Sequence, residues 1–288
     1  MQRRTFVKNA AIVGAGIMLS KDASACFGKK KAGIQLYSVR DEVSSRGLEA
    51  SLEKLASIGF RQIEMYGYND GKYFGNDMKA VAGMLKKYGL TAPSSHVMVM
   101  PFITDKNDDS WRKAVDDAAT IGNKYIAIPW LPDNLRKNAD DWKYLAERLN
   151  RAAEITNGRG LKFAYHNHDF EFAKVGNETG YDILLKNTNP ATVKMELDLF
   201  WTIFAGVDPI ALFKGSPGRY TMWHIKDMDR NDPTKQTELG AGSIDYKEIF
   251  KFKKLAGLEY PFLEQEQYNF PPFDSVEKGY QYLRKNLI

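Results

Sequence analysis

Cysteine is almost absent from this sequence: Cys26 stands alone in 288 residues. No internal disulfide can form, so whatever core the chain builds must hold without staples. The apolar run Ala10–Leu19 near the start is too short to span a bilayer. There is no GKS/T motif and no Gly-rich phosphate cradle. A basic face is missing too, although the formal charge is +5. Arg3, Arg4, Lys8 and Lys21 against Asp22, followed by Lys29–Lys31, place +6 before residue 32 and leave −1 for the rest. A near-neutral body excludes a nucleic-acid partner, which would need cations on the domain itself.

The cationic start has a use of its own. Arg3 and Arg4, the apolar run and the small-residue pattern Ala23-Ser24-Ala25 mark residues 1–25 as an export signal. Arg3-Arg4-Thr5-Phe6-Val7-Lys8 is similar to the bacterial twin-arginine signal, which exports proteins already folded. An ordinary secretory leader with a chance Arg pair is the plainer alternative, and either makes the protein periplasmic or otherwise exported. Cys26 follows the cleavage pattern directly, so a lipid anchor there stays open; Ala23 stands where lipoprotein signals prefer leucine. Residues 26–32 read as a linker.

From residue 33 to 288 the sequence has one rhythm. Apolar strand-like runs alternate with amphipathic helix-like runs, which argues for βα units. Eight strands are expected at 33–39, 62–66, 92–97, 125–129, 163–170, 193–198, 221–227 and 261–266. Helices are expected at about 48–58, 78–88, 111–121, 142–155, 181–186, from Asp208-Pro209, at 246–255 and at 275–287. Eight of each in strict alternation imply a closed (β/α)8 TIM barrel in a single domain. Two open α/β domains would need a linker near the middle, and none is visible.

In such a barrel, chemistry gathers where the strands end. The polar residues there are Glu64, His96, His166 with His168, Asp198, His224 with Lys226, and Glu264 with Glu266. Buried carboxylates and imidazoles are costly unless paired or bound to an ion. The alternation of a strand aims His166 and His168 the same way. His166, Asp198, His224 and Glu264 come from four successive strands and should surround one point on the axis. Two carboxylates and two imidazoles suit Mn²⁺, Co²⁺ or Zn²⁺ better than Mg²⁺ or Ca²⁺. Each residue alone could be a strand-end polar group capped by a loop; the four at one level favour an ion.

The motifs Tyr165-His166-Asn167-His168-Asp169-Phe170-Glu171-Phe172, Glu196-Leu197-Asp198, His224-Ile225-Lys226-Asp227 and Leu263-Glu264-Gln265-Glu266 resemble the xylose isomerase-like TIM-barrel superfamily. That group includes sugar-phosphate isomerase/epimerases, ketose 3-epimerases and inosose dehydratases. The resemblance implies a divalent metal held by Asp198, His224, Glu264 and the strand-five residue, which is His166 here and a glutamate in ketose epimerases. It also implies that the metal holds a carbonyl and a neighbouring hydroxyl of a sugar while a base removes the adjacent proton, through an enediolate. Glu264, Glu266, His168 and Lys226 are the candidate catalytic groups. Without the strand-five glutamate, exchange of a proton between two glutamates is in doubt. The reading therefore leans to elimination, as in inosose dehydratases and lyases of 3-keto-sugars, with isomerisation or epimerisation as the alternative.

Glu64, His96, Tyr37, Trp130 and Trp201 are expected to bind substrate, with Tyr66, Phe200 and Tyr268 as further aromatic neighbours. Gly240-Ala241-Gly242-Ser243 is the only phosphate-cradle candidate in loops seven and eight, and an exported protein does not meet sugar phosphates, so an unphosphorylated sugar or glycoside is the expected partner. A sugar-binding barrel without chemistry is the second class; a DNA-repair endonuclease, which shares the fold, is the third and conflicts with the near-neutral domain. Self-association into a homo-oligomer stays open.

Overall fold

The computed structural model describes residues 32–288. The export signal, Cys26 and the linker up to residue 31 lie outside the described residues. Eight parallel strands form one sheet: β1 (Gly33–Gln35), β2 (Gln62–Met65), β3 (Thr91–Ser95), β4 (Tyr125–Ile128), β5 (Lys162–His166), β6 (Val193–Asp198), β7 (Met222–Ile225) and β8 (Tyr260–Leu263). Neighbours in sequence are neighbours in space, and β8 pairs with β1. The ring meets again between β3 and β4. There Lys124 N donates to Pro93 O at 2.8 Å and Val97 N to Ala127 O at 2.9 Å. This is the expected (β/α)8 barrel. Covered on both faces, its strands are apolar nearly throughout, as in the wholly buried Tyr-Ile-Ala-Ile of β4.

The interior is layered. Tyr125, Ala127, Ala164, Met222 and Phe262 fill one level with apolar volume. Gly33 is required beside them, since a Cβ there would stand 2.6 Å from the Phe262 ring. Towards the strand ends the inward positions turn polar. Register sets Gln35 opposite Glu64, His166 opposite Glu196, and Asp198 opposite His224.

Several elements depart from expectation. Strand one stops at Gln35, whose side chain accepts from Tyr37 N and starts a 3-10 turn. Strand five ends at His166, so His168 lies on a loop rather than on the strand face beside it. The loop takes over because side chains satisfy the backbone: Asn167 Oδ1 accepts from Asp198 N at 3.1 Å and Glu171 Oε2 from His168 N at 2.8 Å. Strand eight ends at Leu263, leaving Glu264 and Glu266 just beyond it. The described residues hold twelve α-helical segments, not eight. One addition, Leu199–Phe204, is nucleated by Asp198 Oδ1 accepting from Trp201 N at 3.0 Å. The helix expected at 246–255 breaks at Phe252 and stops, as foreseen, at Gly257. No helix among the described residues is long and apolar enough to cross a membrane.

The seventh loop is tied by one carboxylate. Asp227 accepts four backbone N–H groups, from Met228, Gly240, Gly242 and Ile244, at 2.8–3.2 Å. A Cβ on Gly242 would fall 2.2 Å from Asp227 Oδ1, so only glycine lets the chain wrap this closely. The amides of Gly240 and Gly242 are thereby spent inside the protein, which removes the phosphate-cradle reading of this stretch. Asp227→Ala should destabilise the protein by about 2–4 kcal/mol, the cost of stripping several charge-assisted bonds from a buried loop. A denaturant midpoint unchanged by the substitution would refute this role.

Candidate active site

The cavity at the C-terminal mouth of the barrel has a volume of about 410 Å³. Tyr37, Tyr66, Met98 and Trp130 supply its apolar wall; His96, His166, His168, Lys226, Glu264 and Glu266 supply the polar one. All four histidines of the chain gather here, with His166 centred 4.9 Å from His96, 4.9 Å from His168 and 4.5 Å from His224.

Four ligand-type atoms, one each from His166, Asp198, His224 and Glu264, lie within 4.8 Å of one another. His166 Nδ1 is 3.1 Å from Pro129 O. A carbonyl can only accept, so the proton is on Nδ1 and the Nε2 lone pair faces the cluster. His166 Nε2, Asp198 Oδ2, His224 Nδ1 and Glu264 Oε2 are buried and lack a well-aligned hydrogen bond. Two imidazole nitrogens and two carboxylate oxygens converging in a buried space are a donor set that fits a borderline divalent cation. Lys226 flanks the same oxygens, its Nζ 2.8 Å from Asp198 Oδ2 and 2.9 Å from Glu264 Oε2, and it also touches Glu266.

A second group lies alongside and shares His224. Glu64, His96, Glu196 and His224 again bring four ligand-type atoms within 4.8 Å. His224 Nε2 is 2.6 Å from Glu64 Oε2, and His96 Nε2 is 2.7 Å from Glu196 Oε2. Sequence reasoning quoted Glu196 within a motif but gave it no role. The signal was there: Glu196 precedes Asp198 by two, so it shares the inward face of β6.

Burial shapes every titration here, and the neighbours decide its direction. Burial would raise Asp198, but Lys226 and His166 bring it down to about 2. Burial would lower Lys226, yet Asp198, Glu264 and Glu266 hold its ammonium well above lysine's usual value. Glu264 is held well below the carboxylate range, burial being outweighed by Lys226 and His224. Burial and the His224 charge lower His166; burial, His166 and Lys226 push His168 down to about 2. In the deeper group, burial and Glu196 raise Glu64, while His224 and His96 overcome burial to lower Glu196.

Of the expected substrate contacts, Tyr37, Trp130 and His96 line the cavity. Glu64 does not: it is wholly buried, accepting from Gln35 Nε2 at 2.9 Å. Trp201 does not line it either; its ring lies against Lys226, 5.6 Å from Nζ. Among the catalytic candidates, Lys226, Glu264, Glu266 and His168 all reach the wall.

The family model described as xylose isomerase-like TIM barrel matches residues 52–286. The chain belongs to that family. Within it, a sugar phosphate isomerase/epimerase from Parabacteroides distasonis is 30% identical, with a TM-score of 0.79 over 93% of this chain and 99% of that one. Inosose dehydratase from Geobacillus kaustophilus is 24% identical over 73% of this chain and 76% of its own length. The IolI protein with a bound zinc atom shares the fold at a TM-score of 0.65 and 14% identity, over 88% of this chain and 96% of that one.

Behind the cavity wall of this xylose isomerase-like barrel, Glu171 is buried and bonded to the Tyr165 hydroxyl and His168 N. Burial pushes its carboxyl from 4.5 up to about 8. The folded state then binds a proton that the unfolded state releases, so stability is full below about 4.5 and falls as pH rises towards about 8. Glu171→Gln should flatten that part of the stability curve in urea titrations. An unaltered slope would show the carboxyl to be ionised in the fold.

Proposed function

We propose that this protein is a divalent-metal-dependent sugar enzyme that abstracts a proton beside the carbonyl of an unphosphorylated keto-sugar or keto-glycoside and expels the β-substituent. It is then a lyase or dehydratase, acting outside the cytoplasm if residues 1–25 direct export. One observation carries the choice of reaction: both carboxylates on the cavity wall, Glu264 and Glu266, come from the end of β8. The facing wall offers His96, His166, His168 and tyrosines, and no carboxylate among the described residues. Removing a proton and returning it on the opposite face of a sugar needs a base on each side; elimination needs only one. The name of the inosose dehydratase relative supports the same side of this choice, and that of the sugar phosphate isomerase/epimerase supports the other.

His166, Asp198, His224 and Glu264 are the residues that would hold the ion. When bound, it supplies electrophilic polarisation of the substrate oxygen next to the acidic C–H. Glu266 is the base of this reading. Its side chain is 28% exposed, where Glu264 faces the ion cluster at 6%. The carboxylate takes the α-proton, the C–H electron pair becomes the new C=C bond, and the β C–O bond breaks. The Lys226 ammonium protonates the departing oxygen. Direct contact between Lys226 and Glu266 lets the proton pass from carboxyl back to amine and resets the pair. His168, neutral and packed on Phe170, serves as a hydrogen-bonding wall and not as the base. Tyr37 and Trp130, 39% and 41% exposed, offer faces on which a pyranose can stack. The seventh-loop amides of Gly240 and Gly242 do not compete as a phosphate site, since Asp227 takes them.

Near-stoichiometric Mn, Co, Zn or Fe in the mature protein, lost in Asp198→Ala/His224→Ala, is expected by elemental analysis. On a panel of keto-sugars and keto-glycosides, Lys226→Met and Glu266→Gln should each lower kcat by about 10²–10⁴-fold. Solvent deuterium should enter recovered substrate if proton abstraction is reversible. Sugar binding without exchange or product in the metal-supplied protein would make it a binding barrel instead. Deuterium at a carbon of inverted configuration would make it an epimerase.

A further inference from the structure

We propose that the barrel holds a second divalent cation at Glu64, His96, Glu196 and His224, with the His224 imidazole bridging the two ions. Three independent observations lead there. First, the donor set is complete: two carboxylates and two imidazoles from β2, the end of β3, β6 and β7 bring one atom each within 4.8 Å of the others. Glu64 Oε1 and Glu196 Oε1, on side chains wholly shielded from solvent, have no hydrogen-bond partner. Two of the spacings are those of hydrogen bonds, His224 Nε2 to Glu64 Oε2 at 2.6 Å and His96 Nε2 to Glu196 Oε2 at 2.7 Å, and two are wide enough for ligands around a small ion. His96 Nε2 stands 3.4 Å from Glu64 Oε2, and His224 Nε2 stands 3.4 Å from Glu196 Oε1.

Second, His224 is placed between two anionic groups. Its Nδ1 is 2.5 Å from Glu264 Oε2, and its Nε2 is 2.6 Å from Glu64 Oε2. A neutral imidazole can donate from only one of those nitrogens. Each ring nitrogen thus faces a carboxylate of one of the two groups, the placement that a bridging imidazole needs.

Third, the charges favour two ions. Fully ionised, Glu64, Glu196, Asp198, Glu264 and Glu266 would bring five negative charges to one cluster, against one positive charge from Lys226. A single divalent ion leaves two negative charges in a buried site, to be balanced by protonating imidazoles that would otherwise be ligands. Two divalent ions cancel the cluster. A route in exists, because His96 lines the cavity with 10% of its side chain exposed.

The test is metal stoichiometry of the whole protein dialysed against Co²⁺, read by elemental analysis and by electron paramagnetic resonance. Two ions per chain, spin-coupled through the bridge, are expected in the unaltered protein. Glu64→Gln/Glu196→Gln should keep one uncoupled ion, and so should Asp198→Asn/Glu264→Gln. A single ion that only Asp198→Asn/Glu264→Gln removes would overturn this inference and leave the proposed function standing. A single ion that only Glu64→Gln/Glu196→Gln removes would overturn both the bridged pair and the proposed function. Should the Glu64/Glu196 variant fail to fold, the unaltered protein decides alone, because one ion or none refutes the second site.

Discussion

The mutual neutralisation of buried charge at the top of the barrel is the constraint on which the site depends. Five carboxylates, one ammonium and three imidazoles share a space from which water is largely excluded. Removing an isolated ion from water costs several kcal/mol even after relaxation, so none of these groups could sit there singly. They are tolerated only as a set. Lys226 illustrates this: with three carboxylates around it the ammonium is stable in the interior, and without them burial would strip its proton. The site is therefore cooperative in its construction, and loss of one member leaves its partner as an uncompensated charge.

The stability that such a site costs has to come from elsewhere, and the layering shows where. Tyr125, Met222 and Phe262 plug the barrel with close-packed apolar volume beneath the charged levels. The outer helices add Trp111 and Trp142, both buried; the Trp111 indole N–H is satisfied by Ala152 O and Thr156 Oγ1. Loops then carry precision rather than bulk. Asn167 ties the end of β5 to Asp198 N, and Asp227 folds the seventh loop around itself while Tyr246 holds the Lys226 carbonyl. Each ion-facing side chain thus hangs from backbone whose own hydrogen bonds are fixed locally.

The barrel was legible because periodicity survives tertiary context: apolar runs of four to six residues alternate with amphipathic stretches all along the chain. Strand ends were overrun by one to four residues wherever a polar side chain replaced the ladder partner. At β5 the inward-pointing pattern continued to His168 although Asn167 and Glu171 had already taken the backbone. The helix Leu199–Phe204 went unseen because its cap, Asp198, was read only as a candidate ligand; Oδ1 makes the cap and Oδ2 faces the cluster. Glu196 went unassigned for a related reason. Attention to strand ends overlooks the residue two positions earlier, which shares the face but lies a layer deeper. Glu64 sat at an expected position and turned out to face this inner layer instead of the cavity.

His166 joins these strands of argument. A glutamate at that position would add one more negative charge to a group already carrying five, and one more base to the wall facing β8. The imidazole does neither. It is held neutral by burial and by the nearby His224 charge, and its proton is committed to Pro129 O. It can offer a lone pair and nothing else. The imidazole that eases the electrostatics of the cluster also offers no carboxylate at this position, leaving Glu264 and Glu266 as the only carboxylates on the wall among the described residues. In the proposed reaction, one-sided proton chemistry would then be a consequence of how the charge is balanced, and a sugar losing its proton towards β8 would go forward more easily by expelling a substituent than by receiving a proton on its other face.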